Sequence, residues 1–347
     1  MAKNIRILLG MSGGLDSTMS ALLLKNAGYE VIGITLKTWH LSPKMHELDL
    51  EKASDLAGQM NIEHHILDIS KVFKRKVVDY FCNEYLRGRT PNPCNRCNPL
   101  VKWPFLIEMA DTFNCEHIAT GHYVQKVEKN GVWYIKKGLD FSKDQSYFLW
   151  NLNQEVLRRA MFPLGKLNKA DVRKLALKHG LHETANQPES MGVCFLDGTN
   201  YHDFLQQETS ITTGDIVDEA GTILGQHPGI PFFTIGQKKG LGLSDKDYFV
   251  KQLDSKSNRI IVSKTASLAT TSLLLNSFHL SRPLNRDEKA DVAIRIRGID
   301  KVPPIPGNIK KEFNGLRVNF YEPAWGITPG QSIVFYKDDL VIGGGIS

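Results

Sequence analysis

The chain has 347 residues, enough at roughly 150 residues per domain for two or three domains, each able to bury a core without disulfide staples. With 41% hydrophobic and 23% charged residues it is excluded from the disordered class, and a net charge of +6 favours an anionic partner without identifying one. Five cysteines at irregular spacing (Cys82, Cys94, Cys97, Cys115 and Cys194) do not form a secreted disulfide framework. The early run IRILLGM is too short and too soon broken by glycine for a signal peptide, and no apolar stretch approaches membrane-spanning length. A reducing, cytoplasmic setting without membrane contact is therefore expected.

Taken in order, residues 5–9 read as a buried strand and TMSALLLKNAG as a helix closed by Gly28. EVIGITLKTW reads as a second strand, ELDLEKASDLAGQM as a helix and EHHILDI as a third strand. Lys71 to Tyr85 and Leu100 to Phe113 read as helices, with EHIATGHY extended after them. Strands alternating with helices predict an α/β fold around a doubly wound parallel sheet, with ligands at the carboxyl ends of its strands. The pattern runs past an irregular insert near Asn130 to about Gly198. Beyond that, short β-rich runs are separated by Gly, Pro, Asn and Asp turns, and helical periodicity almost disappears. The expected division is an α/β domain over 1–199, a small β-rich domain over 200–266 and a β-barrel over 267–347.

GMSGGLDS, Gly10 to Ser17, falls where the first strand meets the first helix. Gly13 and Gly14 allow close backbone approach to a phosphate, Ser12 and Ser17 add hydroxyls, and the helix start adds free amides. The lysine of a Walker loop is missing, and so is the GxGxxG of a dinucleotide fold. SGGxDS instead resembles the PP-loop of ATP pyrophosphatases, which cleave ATP to AMP and pyrophosphate while adenylating an acceptor. Asp16 suits Mg²⁺ at the phosphates.

RTPNPCNRCNPLVKW places Cys94 and Cys97 two residues apart among Arg89, Arg96 and Lys102, and ESMGVCFLDG places Cys194 in a glycine-bracketed loop. From Lys71 to Lys102 eight basic residues face two acidic ones, Asp79 and Glu84, a distribution that fits either a solvated helix face or a polyanion surface. Structural zinc wants four closed ligands and finds three cysteines here. A metal, a disulfide and sulfur chemistry all stay open at this point, and Cys194 by itself reads equally well as a buried apolar thiol.

GMSGGLDS, GRTPNP with CN following, IATGHY, GLDFSKDQSYFLW, GVCF, FFTIGQKKGLG and TPGQSIVFY with GGGI occur in the order of bacterial tRNA-specific 2-thiouridylases, and the chain resembles that family over essentially its whole length. The resemblance implies a PP-loop domain, a small central domain and a C-terminal β-barrel, converting the wobble uridine of certain tRNAs to 2-thiouridine. It implies Cys194 as persulfide carrier and Cys97 as partner thiol. Arg89, Arg96 and Lys102 are expected to lower a thiol pKa. Gly10, Met11, Ser12, Gly13, Gly14, Leu15, Asp16, Ser17, Leu36 and Gly121 would hold ATP with Mg²⁺. His122 would touch tRNA beside the nucleotide, and Asn92, Pro93 and Cys94 would flank the target base. Lys143, Asp144, Gln145, Arg295, Ile296 and Gln331 would contact tRNA elsewhere. Partners would be tRNA and a protein that donates persulfide sulfur.

Cys94 departs from the family pattern, which often has aspartate there. Three thiolates, from Cys94, Cys97 and Cys194, would suit a [4Fe–4S] cluster with one open iron. Leu36 stands where methionine is expected, and the segment after Trp39 is short. Two other readings stay open: another PP-loop synthetase, which needs no cysteine, and a non-catalytic RNA-binding protein, which needs no Asp16.

Overall fold

A computed structural model describes residues 5–187, 192–264, 268–286, 288–298 and 303–347; the expected boundary between 266 and 267 lies outside the described residues. The chain forms two compact units, one of Met1–Lys76, Cys94–Gly198 and Asp338–Ile342, the other of Val77–Pro93, Thr199–Lys337 and Gly343–Ser347. Its elements begin β1 (Arg6–Gly10), α1 (Leu15–Asn26), β2 (Glu30–Lys37), α2 (Pro43–Gln59), β3 (Glu63–Asp68), α3 (Ser70–Phe73), α4 (Asp79–Leu86), α5 (Pro93–Cys97) and α6 (Trp103–Thr112). They continue with β4 (His117–Ala119), β5 (Val124–Lys129), β6 (Val132–Lys137), α7 (Gln154–Arg159), β7 (Ala160–Met161), α8 (Lys169–Lys178) and α9 (His182–Asn186).

In the first unit the strands lie in the order β3-β2-β1-β4-β7, and each neighbouring pair is parallel. Ile7, Leu8 and Leu9 of β1 are all fully buried, because a central strand of such a sheet is covered on both faces and must be apolar throughout. Strand order reverses between β1 and β4. The ends of these two strands, Gly10 and Ala119, therefore open the crevice in which this architecture binds ligands.

Three local readings need correction. The strand expected in EHIATGHY stops at Ala119, and Thr120 to Tyr123 leave the sheet as a loop. The insert near Asn130 is regular: β5 and β6 pair as an antiparallel hairpin, with Asn130 and Gly131 at φ 53° and 75°. Positive φ at both positions is what an Asn-Gly hairpin turn requires, so the signal was present in the residues. Each of the two later helical stretches also contains a π-helical turn, at Lys74–Val78 and at Asn98–Lys102. The second turn carries Pro99 just after Cys97, where a missing N–H disfavours regular α-helix.

The second unit opens its later part with α10 (Tyr201–Glu208), a helix where periodicity was expected to fade. The Asn200 side chain caps it by accepting from the His202 N–H at 2.9 Å. Buried Phe204 packs against Phe81 of α4, and Tyr201 stacks on Tyr85 at 5.1 Å. Two turns with a short apolar face are too little for a periodic signal. After α10 come β8 (Gly214–Val217), β9 (Ile223–His227), β10 (Phe249–Asp254) and β11 (Arg259–Ser263), in a sheet ordered β10-β11-β8-β9. Ile216, Val250, Ile260 and Val262 form its core with Phe232 and Phe233.

Next are β12 (Ala269–Leu275), β13 (Ser277–Leu280), β14 (Lys289–Arg295), β15 (Ile305–Glu312), β16 (Gly315–Trp325), β17 (Ser332–Lys337) and β18 (Leu340–Ile346). Antiparallel pairs join β12 to β16, β16 to β15, β15 to β14 and β14 to β17, the barrel-like β architecture expected of this stretch. Among the described residues no helix is long and apolar enough to cross a membrane.

Candidate active site

The loop after β1, expected to cradle phosphate, is a tight hydrogen-bonded turn. Gly13 has φ +71°, which strains any L side chain, and a Cβ on it would press on the α2 backbone, 3.1 Å from the Asp49 carbonyl and 3.2 Å from the Ala53 nitrogen. Ser17 Oγ accepts from the Ser12 N–H at 3.1 Å and donates to the Gly14 carbonyl at 3.1 Å. Gly14 is the N-cap of α1 and brings no capping side chain, leaving first-turn amides for a ligand. Leu36 sits at the carboxyl end of β2, half-buried and paired with Leu67.

The loop after β4 closes on this cradle. A Cβ on Gly121 would meet the Asp16 carbonyl carbon at 2.9 Å and the Ser17 nitrogen at 3.0 Å, so glycine permits the approach. Next to it, His122 Nδ1 lies 2.7 Å from Thr120 Oγ1, and burial, aided by the charge of Lys102, pulls its pKa down to about 3. His122 is thus a neutral imidazole at ordinary pH. Tyr123 donates from its hydroxyl to Asp16 Oδ1 at 2.8 Å, and Lys169 Nζ reaches the same oxygen at 2.6 Å.

Of the residues expected at tRNA in this unit, Lys143, Asp144 and Gln145 are all half-buried, and two of them are hydrogen-bonded through their side chains. Asp144 Oδ1 accepts from the Gly138 N–H at 3.1 Å and Oδ2 from Ser146 Oγ at 2.7 Å. Gln145 Oε1 accepts from the Tyr123 N–H at 2.9 Å, and Lys143 donates its backbone N–H to the Asp140 carbonyl at 3.0 Å. The Lys143–Gln145 turn therefore supports Tyr123, and through it Asp16.

The thiols form a second group in the same unit. Cys97 is buried, Cys94 half-buried and Cys194 exposed, and none of the five cysteines is in a disulfide. Burial pushes the Cys97 thiol up to about 12 and the Cys94 thiol up to about 11. Cys94, Cys97 and Cys194 act electrostatically on one another, and Lys102 opposes the rise at both Cys94 and Cys97. Burial works against the charge of Lys102 itself, yet the thiols, Cys97 first, hold its pKa above the usual lysine range.

The expectation of lowered thiols is thus corrected at Cys94 and Cys97, because desolvation outweighs the charge of Lys102. Arg96 Nε instead donates to the Lys76 carbonyl at 2.9 Å, and Arg89, in the other unit, pairs with Glu84 at 2.7 Å. The cluster expectation also lacks a ligand set: among the described residues no group of three or more His, Cys, Asp or Glu side chains is placed to hold a metal ion.

The Cys194 turn is held from the segment after β2, a link the sequence reading missed. Phe195 packs against Trp39 and Phe73, at 6.4 and 6.0 Å, and its carbonyl accepts from the Leu41 N–H at 3.2 Å. Asp197, at φ 50°, lies 2.8 Å from His40 Nδ1 through one oxygen and accepts the Ser42 N–H at 2.9 Å through the other. His46 stacks on His40 at 3.8 Å, and burial followed by that neighbour brings the His46 pKa down to about 4.

Asn92, Pro93, Arg295, Ile296 and Gln331 belong to the second unit. Thr90 donates its N–H to the Pro329 carbonyl at 2.8 Å, and Arg89 reaches the Ser347 carbonyl at 3.0 Å. Gln331 binds Ser347 through its backbone, so the RTPNP and TPGQ motifs are brought together there. Arg295, at the end of β14, spends its guanidinium on the Arg297 and Gly298 carbonyls, each at 3.1 Å, and Ile296 follows it directly.

Three family models match consecutive stretches: a tRNA methyl transferase HUP domain over residues 5–198, a tRNA methyl transferase PRC-barrel domain over 202–264 and an aminomethyltransferase beta-barrel domain over 270–346. The tRNA-specific 2-thiouridylase MnmA 2 of Phocaeicola vulgatus is 41% identical, covering 99% of this chain and 98% of its own. The tRNA-specific 2-thiouridylase MnmA of Cytophaga hutchinsonii is 39% identical over 99% of this chain and 98% of its own. That of Carboxydothermus hydrogenoformans is 38% identical over 98% and 96%. The models carry a methyl-transferase description, whereas the full-length relatives are thiouridylases. The chain belongs to the tRNA-specific 2-thiouridylase family.

Proposed function

We propose that the protein adenylates the C2 oxygen of the wobble uridine of tRNA with ATP and then replaces that oxygen with sulfur carried on Cys194. ATP-dependent tRNA thiolation is the activity of the family; the target atom, the sulfur route and the residue roles are our reading. One series of links supports it best. Gly121 lies against Asp16 and Ser17 of the cradle, its neighbour His122 is influenced by the charge of Lys102, and Lys102 interacts electrostatically with the three thiols. These links, all within one unit, favour coupling of activation to sulfur delivery.

In the first step the uracil O2 attacks the α-phosphorus, the bond to the β-phosphate oxygen breaks, and pyrophosphate leaves with the electron pair. Glycine-loop amides and the start of α1 hold the phosphates, and Asp16 would hold the Mg²⁺ that accompanies ATP, which would offset phosphate charge there. In the second step a persulfide on exposed Cys194, loaded by a donor protein, sends its terminal sulfur to C2, and AMP departs carrying the former O2. Cys97 then attacks the Cys194 sulfur, leaving the new sulfur on the base and a Cys97–Cys194 disulfide that an external thiol reduces. Because the Cys97 thiol is pushed up to about 12, it rests protonated, and its proton must leave before that attack. Lys102 stabilises the thiolate that forms.

Target-base contacts are assigned to Asn92, Pro93, Cys94 and His122, and wider tRNA contacts to Lys143, Asp144, Gln145, Arg295, Ile296 and Gln331. A splayed anticodon base fits such a reader. We assign the catalytic domain to 1–199, the central domain to 200–266 and the barrel to 267–347, acting in the cytoplasm. The test is to incubate protein, tRNA, ATP and a persulfide donor and analyse nucleosides. 2-Thiouridine dependent on both ATP and Cys194 supports the reading; turnover in a Cys97→Ser, Cys194→Ser double variant would assign the chain to ligating synthetases instead.

A further inference from the structure

We propose that Lys169 is a further catalytic residue of the adenylation step, binding the β- and γ-phosphates of ATP and taking up the charge of departing pyrophosphate. The proposal rests on the ATP-dependent reading above and names the cation that the cradle itself lacks.

The sequence gives an oblique signal. Lys169 is the first residue of α8, directly after the Asn168 N-cap. A helix start carries partial positive charge and favours acids, so a lysine there is not explained by the helix. The loop GMSGGLDS has no lysine, although phosphate chemistry benefits from a cation at the leaving group.

The structure supplies the rest. Lys169 is only 9% exposed, and its Nζ lies 2.6 Å from Oδ1 of Asp16 in the first turn of α1. Asp140 Oδ2 accepts the Lys169 N–H at 3.0 Å, which fixes the start of α8. Leu15 and Met19 of α1 pack in one core with Val172 and Ala176 of α8, so the two helices carry Asp16 and Lys169 in a fixed relation. Nζ also lies 5.5 Å from the centre of the Tyr123 ring, whose hydroxyl donates to the same Asp16 oxygen. A desolvated ammonium paired with one carboxylate gains little stability from that pair, because desolvation offsets the attraction. The arrangement instead holds a cation against the first turn of α1, whose N-cap, Gly14, brings no side-chain cap.

When ATP enters, the phosphates replace Asp16 as the partner of Lys169, and Asp16 is released to the divalent cation that travels with ATP. As the uracil oxygen attacks the α-phosphorus, the electron pair of the breaking bond passes to the β-phosphate oxygen. Lys169 donates a hydrogen bond to the pyrophosphate and keeps its proton, so no further reactant is needed.

The experiment compares wild type, Lys169→Met and Lys169→Gln in three readouts. Calorimetry gives the affinities for ATP and AMP, rapid quench gives tRNA-dependent pyrophosphate release, and mass spectrometry gives persulfide loading of Cys194. Both variants are expected to lose roughly tenfold or more in ATP affinity while AMP affinity stays unchanged, and pyrophosphate release should slow about 10²–10³-fold, with Cys194 loading intact. Glutamine keeps a donor for Asp16 without the charge, so it carries the same prediction should methionine disturb folding. An ATP-to-AMP affinity ratio within threefold of wild type in the folded variant overturns the proposal. Should wild type release no pyrophosphate with tRNA while the ratio still collapses in the variants, the thiolation reading fails and the phosphate role of Lys169 stands.

Discussion

In the turn that we propose as the phosphate cradle, Ser12, Ser17, Thr18 and Asp16 are tied into hydrogen bonds. The thiols differ: Cys94 and Cys97 are governed by desolvation, Lys102 opposes it, and Cys194 sits on an exposed turn held by Asp197. The contrast follows from the chemistry each must do. Phosphate transfer needs donors fixed in place, since reorganising them costs rate. Sulfur transfer needs one sulfur accessible to a donor protein and another kept protonated until it is called on. Preorganisation and withheld reactivity are thus placed side by side in one unit.

The largest expected effect separates the two halves outright. Cys194→Ser should abolish 2-thiouridine formation, by 10³-fold or about that, while tRNA-dependent pyrophosphate release in a single turnover stays within a few-fold of wild type. Equal loss of both would show that the halves are not separable. Gly13→Ala should do the reverse: positive φ strains an added methyl and the tight approach of α2 crowds it, and pyrophosphate release should fall about tenfold or more with roughly 1–3 kcal/mol lost in a denaturant titration. Loading of Cys194 with persulfide should survive that change.

Asp197→Ala tests whether the latch matters to the thiol side alone. Losing the His40 and Ser42 contacts should slow thiolation by roughly tenfold through misplacement of Cys194, with pyrophosphate release unaltered. In wild type, iodoacetamide at mild alkaline pH should label Cys194 well before Cys94 and Cys97, as peptide mapping would reveal. Labelling of Cys97 first would contradict its burial and raised pKa.

The smallest effect is on stability. His46 and His122 have pKa values lowered from 6.5, so the unfolded chain binds protons that the folded one refuses, and stability falls as pH drops below about 6.5. Cys94 and Cys97 are raised from 9.0, so the unfolded chain loses protons that the folded one keeps, and stability falls as pH climbs above about 9. Urea midpoints should therefore plateau between those limits.

Much of this was legible in the residues. The alternation of apolar runs and helical stretches gave the parallel sheet, and Gly13 could be assigned to the cradle because its neighbours were hydroxyls at a strand-to-helix turn. Burial of the thiols near Arg89, Arg96 and Lys102 in sequence was not legible, because spacing shows charge but not desolvation; only coordinates reveal that burial outweighs Lys102 at Cys94 and Cys97. Lys169 and Asp197 escaped because their partners, Asp16 and His40, lie more than 150 residues away in sequence, and no local pattern encodes such a meeting. The Asn130–Gly131 hairpin, by contrast, is signalled by its Asn-Gly pair, although the surrounding residues read as irregular.

The central claim is that activation of the base precedes and does not require sulfur delivery. Cys194→Ser protein given tRNA and ATP radiolabelled at the α-phosphorus should accumulate label on the tRNA as an AMP adduct, one per molecule at most. No adduct under conditions where wild type forms 2-thiouridine would contradict the account.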